Sequence, residues 1–589
     1  MTDLGGDAWI TAAVLAVAFG LLVWGRLAPS AVVLAATVFL LLVNVIDADQ
    51  ALSGFANPAP ATVAALYVLA RAAQKTGLLS PLTSRLLGRG RGRMGLARLL
   101  LPAAAASSFL NNTPLVAMLT PDVVGWADRR GVSASRFLMP LSFATILGGT
   151  VTVLGTSTNL VVSGLLEESG QEPFGLFELA SVGGPVALLG LAVLVTTAWH
   201  LAPERRTAKE QAAEEVREFV VFMEVESGGA LEGQRIADTP LVGRRHVFLV
   251  EVARDGHTMS PVNLDTVLHA GDRLTFAGQV GQIVELHRMR GLRSTAQQHL
   301  EAVASPEHGL YVAVVGRTSP IAGRTLADVD FIDRYQAAVL AVHRDGHRLT
   351  EEPRDVRLRP GDTLLILADQ AFQRNWGERR DFLIIAPLGG DPPTASAQAP
   401  VVAVIAGAMV AVAALGILPI LEAALLAAGA LVVTRVLSAD EVRDAIDFDV
   451  IILIAAAFGL GAAVQTTGLA SAVAEGLMSV FDALGTVGVV FGLLLAVSLL
   501  TELVTNNAAA VVVFPIAVSV AERTGLDMRA VAIAIAIAAS SSFLTPIGYQ
   551  TNTIVYGPGG YRFTDYLRVG APLNLTVISV VTALTVASY

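Results

Sequence analysis

Two short polar clusters interrupt long apolar stretches of this sequence. The first reads Ser-Ser-Phe-Leu-Asn-Asn-Thr-Pro over residues 107–114, and the second reads Thr-Glu-Leu-Val-Thr-Asn-Asn-Ala over residues 501–508. A proline follows each cluster at the same distance, at Pro121 and Pro515. Amide side chains are costly in an apolar environment. Their recurrence at matching positions in two halves of a chain is therefore the pattern expected of a binding site between repeats.

A second polar pattern follows each cluster. It reads Gly-Thr-Ser-Thr-Asn at 155–159, inside the apolar segment 137–162, and Gly-Tyr-Gln-Thr-Asn at 548–552, inside the segment 530–555. Such runs predict a broken helix with free backbone groups. Carbonyl and amide oxygens suit a cation such as Na⁺, and helix N-termini with hydroxyl or amide donors suit an anion. The candidate substrate ligands are Asn111, Asn112, Thr113, Thr158, Asn159, Thr505, Asn506, Asn507, Thr551 and Asn552.

A purely structural role is the alternative for each of these side chains. Ser, Thr and Asn in membrane helices often form hydrogen bonds between helices, and this interpretation is favoured for isolated serines such as Ser107 or Ser540. Binding is favoured for Asn112 and Asn506, because their amides recur at equivalent positions. Glu502 could carry a proton or a cation, or could be a hydrogen-bonded buried acid, and both interpretations stay open.

The composition defines the class of protein. Of the 589 residues, 53% are hydrophobic and only 15% are charged, which predicts a multi-span membrane protein. The net charge of −10 gives no reason to expect a nucleic-acid partner. The chain has no Cys, and it lacks Walker A, His-Glu-x-x-His and Gly-x-Ser-x-Gly motifs, so we expect no enzyme activity. The first apolar run has an acidic leader and is predicted to be a retained helix rather than a signal peptide.

The spacing of charged loops predicts the topology. Basic loops flank residues 96–126 on both sides, which favours a re-entrant hairpin with the Asn cluster at its tip over an ordinary span. Residues 486–523 form the matching segment, although the Arg residues that follow it conflict mildly with the positive-inside rule. Each half then has five spans including one broken helix, plus one hairpin, and the odd number of spans predicts an inverted repeat. The predicted spans are 8–27, 31–46, 61–79, 137–162 and 179–202 in the first half, and 400–418, 420–437, 449–468, 530–555 and 566–588 in the second.

A charged, strand-rich insert separates the two halves. It repeats at an offset of 90 residues: Asp-Gly-His recurs at 255–257 and 345–347, and Gly-Asp at 271–272 and 361–362. The pattern predicts two cytosolic α+β domains built on hairpins. The predicted division of the chain is a first transmembrane repeat at 1–203, domains at 204–300 and 301–395, and a second transmembrane repeat at 396–589.

Paired hairpins with Asn-containing tips, each followed by a broken Gly-Thr-Asn helix, resemble the divalent anion/sodium symporters over roughly 8–202 and 396–589. The Ser-Asn-Thr motif of that family matches Asn-Asn-Thr at 111–113 and Thr-Asn-Asn at 505–507. The serine of that motif is replaced by Asn111 in the first match and by Thr505 in the second, so sulfate, a dicarboxylate or another oxyanion remains open. The resemblance implies bound sodium, with candidate ligands at Ser108, Asn112, Gly155, Thr505, Asn506 and Gly548. The insert resembles tandem C-terminal domains of potassium-uptake regulators (the TrkA-C type).

The expected function is sodium-coupled uptake of a small divalent anion by alternating access. The resemblance implies a homodimer in the bacterial inner membrane, with residues 204–395 in the cytoplasm. The insert is expected to bind a nucleotide or another small ligand, or only to assist dimerisation. A proton- or sodium-driven oxyanion exporter is one alternative, and a ligand-gated ion channel is another.

Overall fold

The computed structural model consists of two compact units, one formed by residues 1–205 with 391–589 and the other by residues 206–390. The structure describes residues 5–24, 27–78, 92–130, 132–204, 219–239, 241, 247–254, 257–259, 262, 265–278, 291–294, 308–316, 319–344, 347–349, 355–369, 372–376, 381–387 and 396–587. Residues 79–91, which include part of the basic loop before residue 96, and the Asp-Gly pairs at 255–256 and 345–346 lie outside this part of the chain.

The first half of the larger unit is helical. Its helices are α1 (Gly6–Trp24), α2 (Pro29–Leu42), α3 (Ala48–Ala56), α4 (Pro58–Thr76), α5 (Gly92–Ser107), α6 (Asn112–Arg130), α7 (Ser135–Gly149), α8 (Ser157–Glu168) and α9 (Ala180–Leu201). Helices lie within all five predicted segments, and the segment 137–162 is divided between α7 and α8. Helix α3 was not predicted; it starts with a capping box in which Asp47 and Gln50 satisfy each other's backbone amides.

The smaller unit contains two five-stranded antiparallel sheets. The first is built from β1 (Phe219–Val225), β2 (Val247–Arg254), β3 (His257–Met259), β4 (Arg273–Gly278) and β5 (Leu292–Ser294). The second is built from β6 (His308–Val315), β7 (Ala337–Arg344), β8 (His347–Arg348), β9 (Thr363–Asp369) and β10 (Phe382–Pro387), with the short helices α10 (Phe331–Tyr335) and α11 (Phe372–Trp376).

The two sheets have the same topology. Their strand orders are β3-β2-β4-β1-β5 and β8-β7-β9-β6-β10. The register shifts between Leu249 and Glu251 in one sheet, and between Val339 and Ala341 in the other. The same irregularity at an offset of 90 residues means that the sequence repeat is also a repeat of backbone geometry.

The second half of the larger unit continues with α12 (Ala399–Ala414), α13 (Ile420–Val433), α14 (Ala439–Ala445), α15 (Phe448–Thr466), α16 (Leu469–Phe481), α17 (Gly485–Thr501), α18 (Asn506–Thr524), α19 (Met528–Ser540), α20 (Gln550–Tyr556) and α21 (Phe563–Ala587). Helix α14 matches α3, and it also starts with a capping box, here formed by Ser438 and Glu441.

The apolar helices are those of a multi-pass membrane protein. Among the described residues, six helical segments are long and apolar enough to cross a bilayer, with α3 and α4 counted as one, and six further apolar helices are shorter. The two halves pack tightly on each other. A Cβ at Gly54 of α3 would lie 2.2 Å from the carbonyl oxygen of Ala455 in α15, and the Thr37 hydroxyl of α2 donates to the Ala456 carbonyl.

Candidate functional site

The first polar cluster forms the turn between α5 and α6, and we call residues 107–113 tip 1. Asn112 is fully buried there, and its Oδ1 accepts a hydrogen bond from the Ser107 hydroxyl. Asn111 Oδ1 accepts from the Thr113 amide at 3.3 Å, which satisfies one of the free N–H groups at the start of α6. The tip is therefore fixed by its own side chains.

The second cluster forms an equivalent turn between α17 and α18, and we call residues 501–507 tip 2. The Thr501 hydroxyl donates to Asn506 Oδ1 at 2.7 Å, as Ser107 does to Asn112 in tip 1. Thr505 caps α18, because its hydroxyl accepts from the Ala508 amide at 3.4 Å. The hydroxyl–amide pair, five residues apart, is thus common to both tips.

Both broken helices are interrupted where the sequence predicts. Break 1 comprises residues 150–156 between α7 and α8, and break 2 comprises residues 541–549 between α19 and α20. In each half, the side chain of one asparagine after the break forms hydrogen bonds to carbonyls before or within the break. Asn159 Nδ2 donates to the carbonyls of Gly149 and Thr152 at 2.9 and 2.8 Å. Asn552 Nδ2 donates to the carbonyls ten and seven residues before it, at 3.0 and 3.1 Å.

This geometry gives the two asparagines a structural task. Their amides satisfy carbonyls that the break leaves without a helical partner. Asn552 Oδ1 accepts in turn from the Ser142 hydroxyl at 2.7 Å, and Ser142 also donates to the Thr551 hydroxyl at 2.9 Å. Asn159 Oδ1 is buried, and no group in the described part of the chain hydrogen-bonds to it.

A glycine lies in each break at matching positions, and the surroundings of the two glycines differ. A Cβ at Gly155 would lie 2.4 Å from the carbonyl oxygen of Gly149. A Cβ at Gly548 would lie 2.2 Å from Ser542 Oγ and 2.6 Å from Glu502 Oε2. Backbone therefore crowds the first glycine, and side-chain oxygens crowd the second.

Each tip contacts the broken helix of the other half. Asn112 Nδ2 donates to the Tyr549 hydroxyl at 2.8 Å, and the Thr113 hydroxyl donates to Gln550 Oε1 at 3.2 Å. In the opposite direction, the hydroxyls of Ser157 and Thr158 donate to Asn507 Oδ1 at 3.3 and 3.1 Å. These four hydrogen bonds join groups 349 to 437 residues apart, so the tips and breaks form one crosswise site.

The helix ends give this site its electrostatic character. The starts of α6 and α20 meet in one pairing, and the starts of α18 and α8 meet in the other. Free N–H groups at helix starts favour an anion. The ends of α5 and α7 present carbonyls close by: the Ser108 hydroxyl donates to the Gly148 carbonyl at 3.0 Å, and the Thr152 hydroxyl donates to the Ser108 carbonyl. Carbonyl oxygens at helix ends favour a cation.

All the predicted site residues lie at the tips, in the breaks or at the starts of α8 and α20. Tyr549 was not predicted, yet its hydroxyl contacts both Asn112 and Thr156. The sequence did contain a signal for Tyr549, because this residue occupies the position in break 2 that Thr156 occupies in break 1. Glu502 was left open by the sequence, and it is 4% exposed and accepts three hydrogen bonds from break 2.

Comparison with known proteins identifies the family. The model of the citrate transporter family (CitMHS) matches residues 19–522 and 493–589. The chain belongs to this citrate transporter family. It is therefore a membrane transporter, and its family and relatives indicate a small anionic substrate.

Three relatives of this citrate transporter family member are informative. A Chlamydomonas reinhardtii protein, provisionally named a sulfur deprivation response regulator, is 34% identical over 92% of this chain and 94% of its own. An uncharacterized transporter of Synechocystis is 32% identical over 97% and 95% of the two chains. Sodium/sulfate cotransporter 2 of Chlamydomonas reinhardtii is 25% identical over 91% and 84%.

Proposed function

We propose that the chain is a secondary transporter that couples the uptake of sulfate to a sodium gradient. The observation that carries the proposal is the crosswise site, in which helix starts and helix ends from both halves meet at buried amides and hydroxyls. Three relatives are named sodium/sulfate cotransporters, two of them without qualification, which supports both the ion and the anion.

The anion would bind at the paired helix starts. The proposed donors are the first backbone amides of α6, α8, α18 and α20. The hydroxyls of Thr113, Ser157 and Tyr549 would join them by exchanging their present partners, Gln550, Asn507 and Thr156, for the anion. A compact oxyanion has acceptor oxygens on every side, so donors arriving from two halves can share it. Asn159, Thr551 and Asn552 would serve this site indirectly, since their hydrogen bonds hold the breaks in shape.

Sodium would bind beside the anion in each half. Near Gly155, the available oxygens are those of Ser108, Asn112 and the carbonyls of break 1. Near Gly548, they are those of Thr505, Asn506 and break 2. Sodium charge close to the anion would offset its repulsion from the surrounding carbonyls, and this mutual stabilisation is the physical basis of coupling.

We propose that the halves form an inverted repeat that permits alternating access. The matched contacts of the tips and breaks support this. A matched pair of arginines also supports the repeat, because Arg136 and Arg529 are each the second residue of a broken helix. Arg529 would then lie outside, against the positive-inside rule, but Glu178 binds it through two hydrogen bonds of 2.7–2.8 Å. Paired in this way, Arg529 presents little free positive charge.

The remaining assignments follow the same orientation. We propose a plasma-membrane location with residues 204–395 in the cytoplasm, and a homodimer. The domain boundaries at 204–300 and 301–395 separate the two sheets. The shared strand order supports two TrkA-C-like domains, which would regulate transport by binding a small ligand such as a nucleotide, or would assist dimerisation.

Uptake into proteoliposomes tests the proposal. We expect radiolabelled sulfate to accumulate under an inward sodium gradient and not under an equal potassium gradient, and unlabelled sulfate to compete for it. Citrate is the second candidate substrate because the family carries its name, so labelled citrate and succinate are tested in parallel. Sodium-driven uptake of citrate alone would replace the substrate. A proton-driven efflux or single-channel currents, without sodium-driven uptake, would overturn the proposal.

A further inference from the structure

Helix α5, the first arm of the first hairpin, carries an arginine on the face that points away from the protein. Met94, Arg98 and Leu101 are exposed and follow one another at four and three residues, so they share one face of the helix. Met94 is 61% and Leu101 is 51% exposed, as expected of apolar side chains that contact lipid tails. Arg98 therefore lies within an apolar stripe and not on a polar surface.

The two arginines of α5 are not neutralised by an acid. The sequence has no Asp or Glu in residues 50–121, and three further arginines precede the helix in residues 85–91. Arg93 Nη2 donates to His200 Nε2, a neutral acceptor that leaves the charge of Arg93 in place. No carboxylate in the described part of the chain pairs with Arg98. A guanidinium on a lipid-facing surface is costly unless it reaches a polar or charged partner.

Trp199 indicates the depth of the start of α5 in the membrane. It precedes His200 at the end of α9, and a Cβ at Gly92 would lie 3.9 Å from its ring. Tryptophan side chains are enriched at the level of the lipid headgroups. Arg93 follows Gly92 directly. Arg98 lies about 7.5 Å further along the helix axis, so its long side chain can reach back to the same level.

The second half of the repeat has no such arginines. With tip 1 aligned to tip 2, Val487 is equivalent to Arg93 and Gly492 is equivalent to Arg98, both in α17. A hairpin of this kind therefore forms without the two arginines. A ligand that binds beside one hairpin and not beside the other would account for the difference.

We infer that the start of α5 binds the phosphate group of an anionic phospholipid through Arg93 and Arg98, with its acyl chains along Met94 and Leu101. A guanidinium can donate two hydrogen bonds to one phosphate. Clusters of basic residues at the membrane surface attract anionic lipids. Because α5 leads directly to tip 1, the lipid would stabilise one arm of the first hairpin. This inference goes beyond the proposed function and does not depend on which anion is transported.

A lipid titration of thermal stability tests the inference. Purified full-length protein in a neutral detergent is heated at rising concentrations of a short-chain phosphatidylglycerol, and in parallel with the matching phosphatidylcholine and with potassium phosphate. We expect phosphatidylglycerol to raise the melting temperature. The concentration that gives half of this effect should rise at least threefold in Arg93→Gln and in Arg98→Gln. Arg443→Gln is the matched control, because it removes the same charge from an exposed arginine of α14.

Each other outcome would overturn the inference. Equal stabilisation by phosphatidylglycerol and phosphatidylcholine, or stabilisation by neither, would exclude an anionic lipid site. Stabilisation by potassium phosphate equal to that by phosphatidylglycerol would assign a free anion in place of a lipid. An unchanged half-effect concentration in folded Arg93→Gln and Arg98→Gln, or an equal rise in Arg443→Gln, would exclude these two arginines. Failure of the proposed function is distinguishable, because no transport is measured here.

Discussion

Both units of this protein contain residues that recur at equivalent positions of a repeat. The recurrence is exact in the smaller unit and incomplete in the larger one. In the smaller unit, Arg254 and Asp272 form a two-point ion pair, and Arg344 and Asp362 form the same pair with distances that agree within 0.1 Å. In the larger unit, both tips contain the hydroxyl–amide pair, but Glu502 occupies the position in tip 2 that Ser108 occupies in tip 1.

The difference separates fold from function. The Asp carboxylate of each ion pair also accepts a hydrogen bond from a backbone amide three residues before it, from His269 in one copy and from Arg359 in the other. Both copies therefore have the same structural role. The two tips face one shared site. Glu502 gives the second tip a carboxyl group where the first tip has the Ser108 hydroxyl, so the two halves of that site are not chemically equal.

The largest effect is expected at the glycines of the breaks. Gly155→Ala places a Cβ 2.4 Å from a backbone carbonyl that cannot move without displacing α7, and we expect loss of sodium-driven uptake and poor recovery of folded protein. Gly548→Ala meets side-chain oxygens that can rotate away, so we expect folded protein with weakened sodium dependence.

Gly184→Ala is the matched control for these variants. Its Cβ would enter open space in the second turn of α9, and uptake should stay near that of the unaltered protein. Equal behaviour of Gly155→Ala and Gly548→Ala, measured by size-exclusion yield and sodium titration of uptake, would remove the difference between the two halves.

The next effect is expected at the tip asparagines. Asn112→Ala removes the side-chain acceptor of the buried Ser107 hydroxyl, at a cost of about 1–3 kcal/mol for a group left unpaired, and leaves the Tyr549 hydroxyl with Thr156 alone. We expect at least a tenfold fall in sulfate uptake. Asn506→Ala should give a comparable fall. Tyr549→Phe removes the contacts of its hydroxyl with Asn112 and Thr156 but keeps the bond between Ser107 and Asn112, so its fall should be smaller than that of Asn112→Ala. A larger fall would contradict the assigned contacts.

A smaller effect is expected at the other crosswise contact. Ser157 and Thr158 donate to the same acceptor, Asn507 Oδ1. Either hydroxyl can therefore cover the loss of the other, and we expect Ser157→Ala and Thr158→Val each to lower uptake by less than about threefold, equivalent to roughly 0.6 kcal/mol. The double variant should lose more than the product of the two single effects. Independent effects would mean that the shared acceptor does not join the halves.

The smallest effect on transport is expected at the ion pairs of the smaller unit. Burial tends to raise the pKa of Asp272, but the hydrogen bonds from Arg254 and the His269 amide outweigh burial and hold the pKa below its usual value of 3.8. A lowered pKa stabilises the folded state above pH 3.8, and that stabilisation is lost as the pH falls through the folded-state pKa.

Hydrogen exchange measured on the intact protein checks this. Arg254→Met should increase exchange in β2 and β4 at neutral pH, and should reduce the difference in exchange between neutral and acidic pH there. Arg344→Met should increase exchange in β7 and β9 at neutral pH, with sulfate uptake nearly unchanged. Protection that differs between the two sheets would show that the two copies do not share one structural task.

The sequence predicts the elements better than their contacts. Polar runs inside apolar segments locate both tips and both breaks, because amides and glycines have few other reasons to be there. Helices α3 and α14 were missed because nine and seven residues are too few for a hydropathy signal. Helix α16 lies between the predicted segments 449–468 and 486–523 and was not predicted, although Gly468, with a φ of +76°, separates it from α15.

The crosswise site could not be predicted from one sequence. The bond between Asn112 and Tyr549 joins residues 437 positions apart, and no local pattern determines which tip faces which break. The role of Asn159 and Asn552 also needed coordinates. Judged by residue type alone, an asparagine amide could bind a ligand or stabilise the backbone. Only the distances to four carbonyls show that these two amides already form hydrogen bonds to the breaks.

The most direct test of the account is substrate protection of single cysteines in the crosswise contacts. The natural chain has no Cys, so each introduced thiol is the only one present. Thr113→Cys and Asn507→Cys, in proteoliposomes, are treated with a water-soluble thiol reagent. The account predicts that sodium and sulfate together slow modification at both positions, and that sulfate without sodium does not. Protection at one position only, or protection by sulfate alone, would contradict a single sodium-coupled site shared by the two halves.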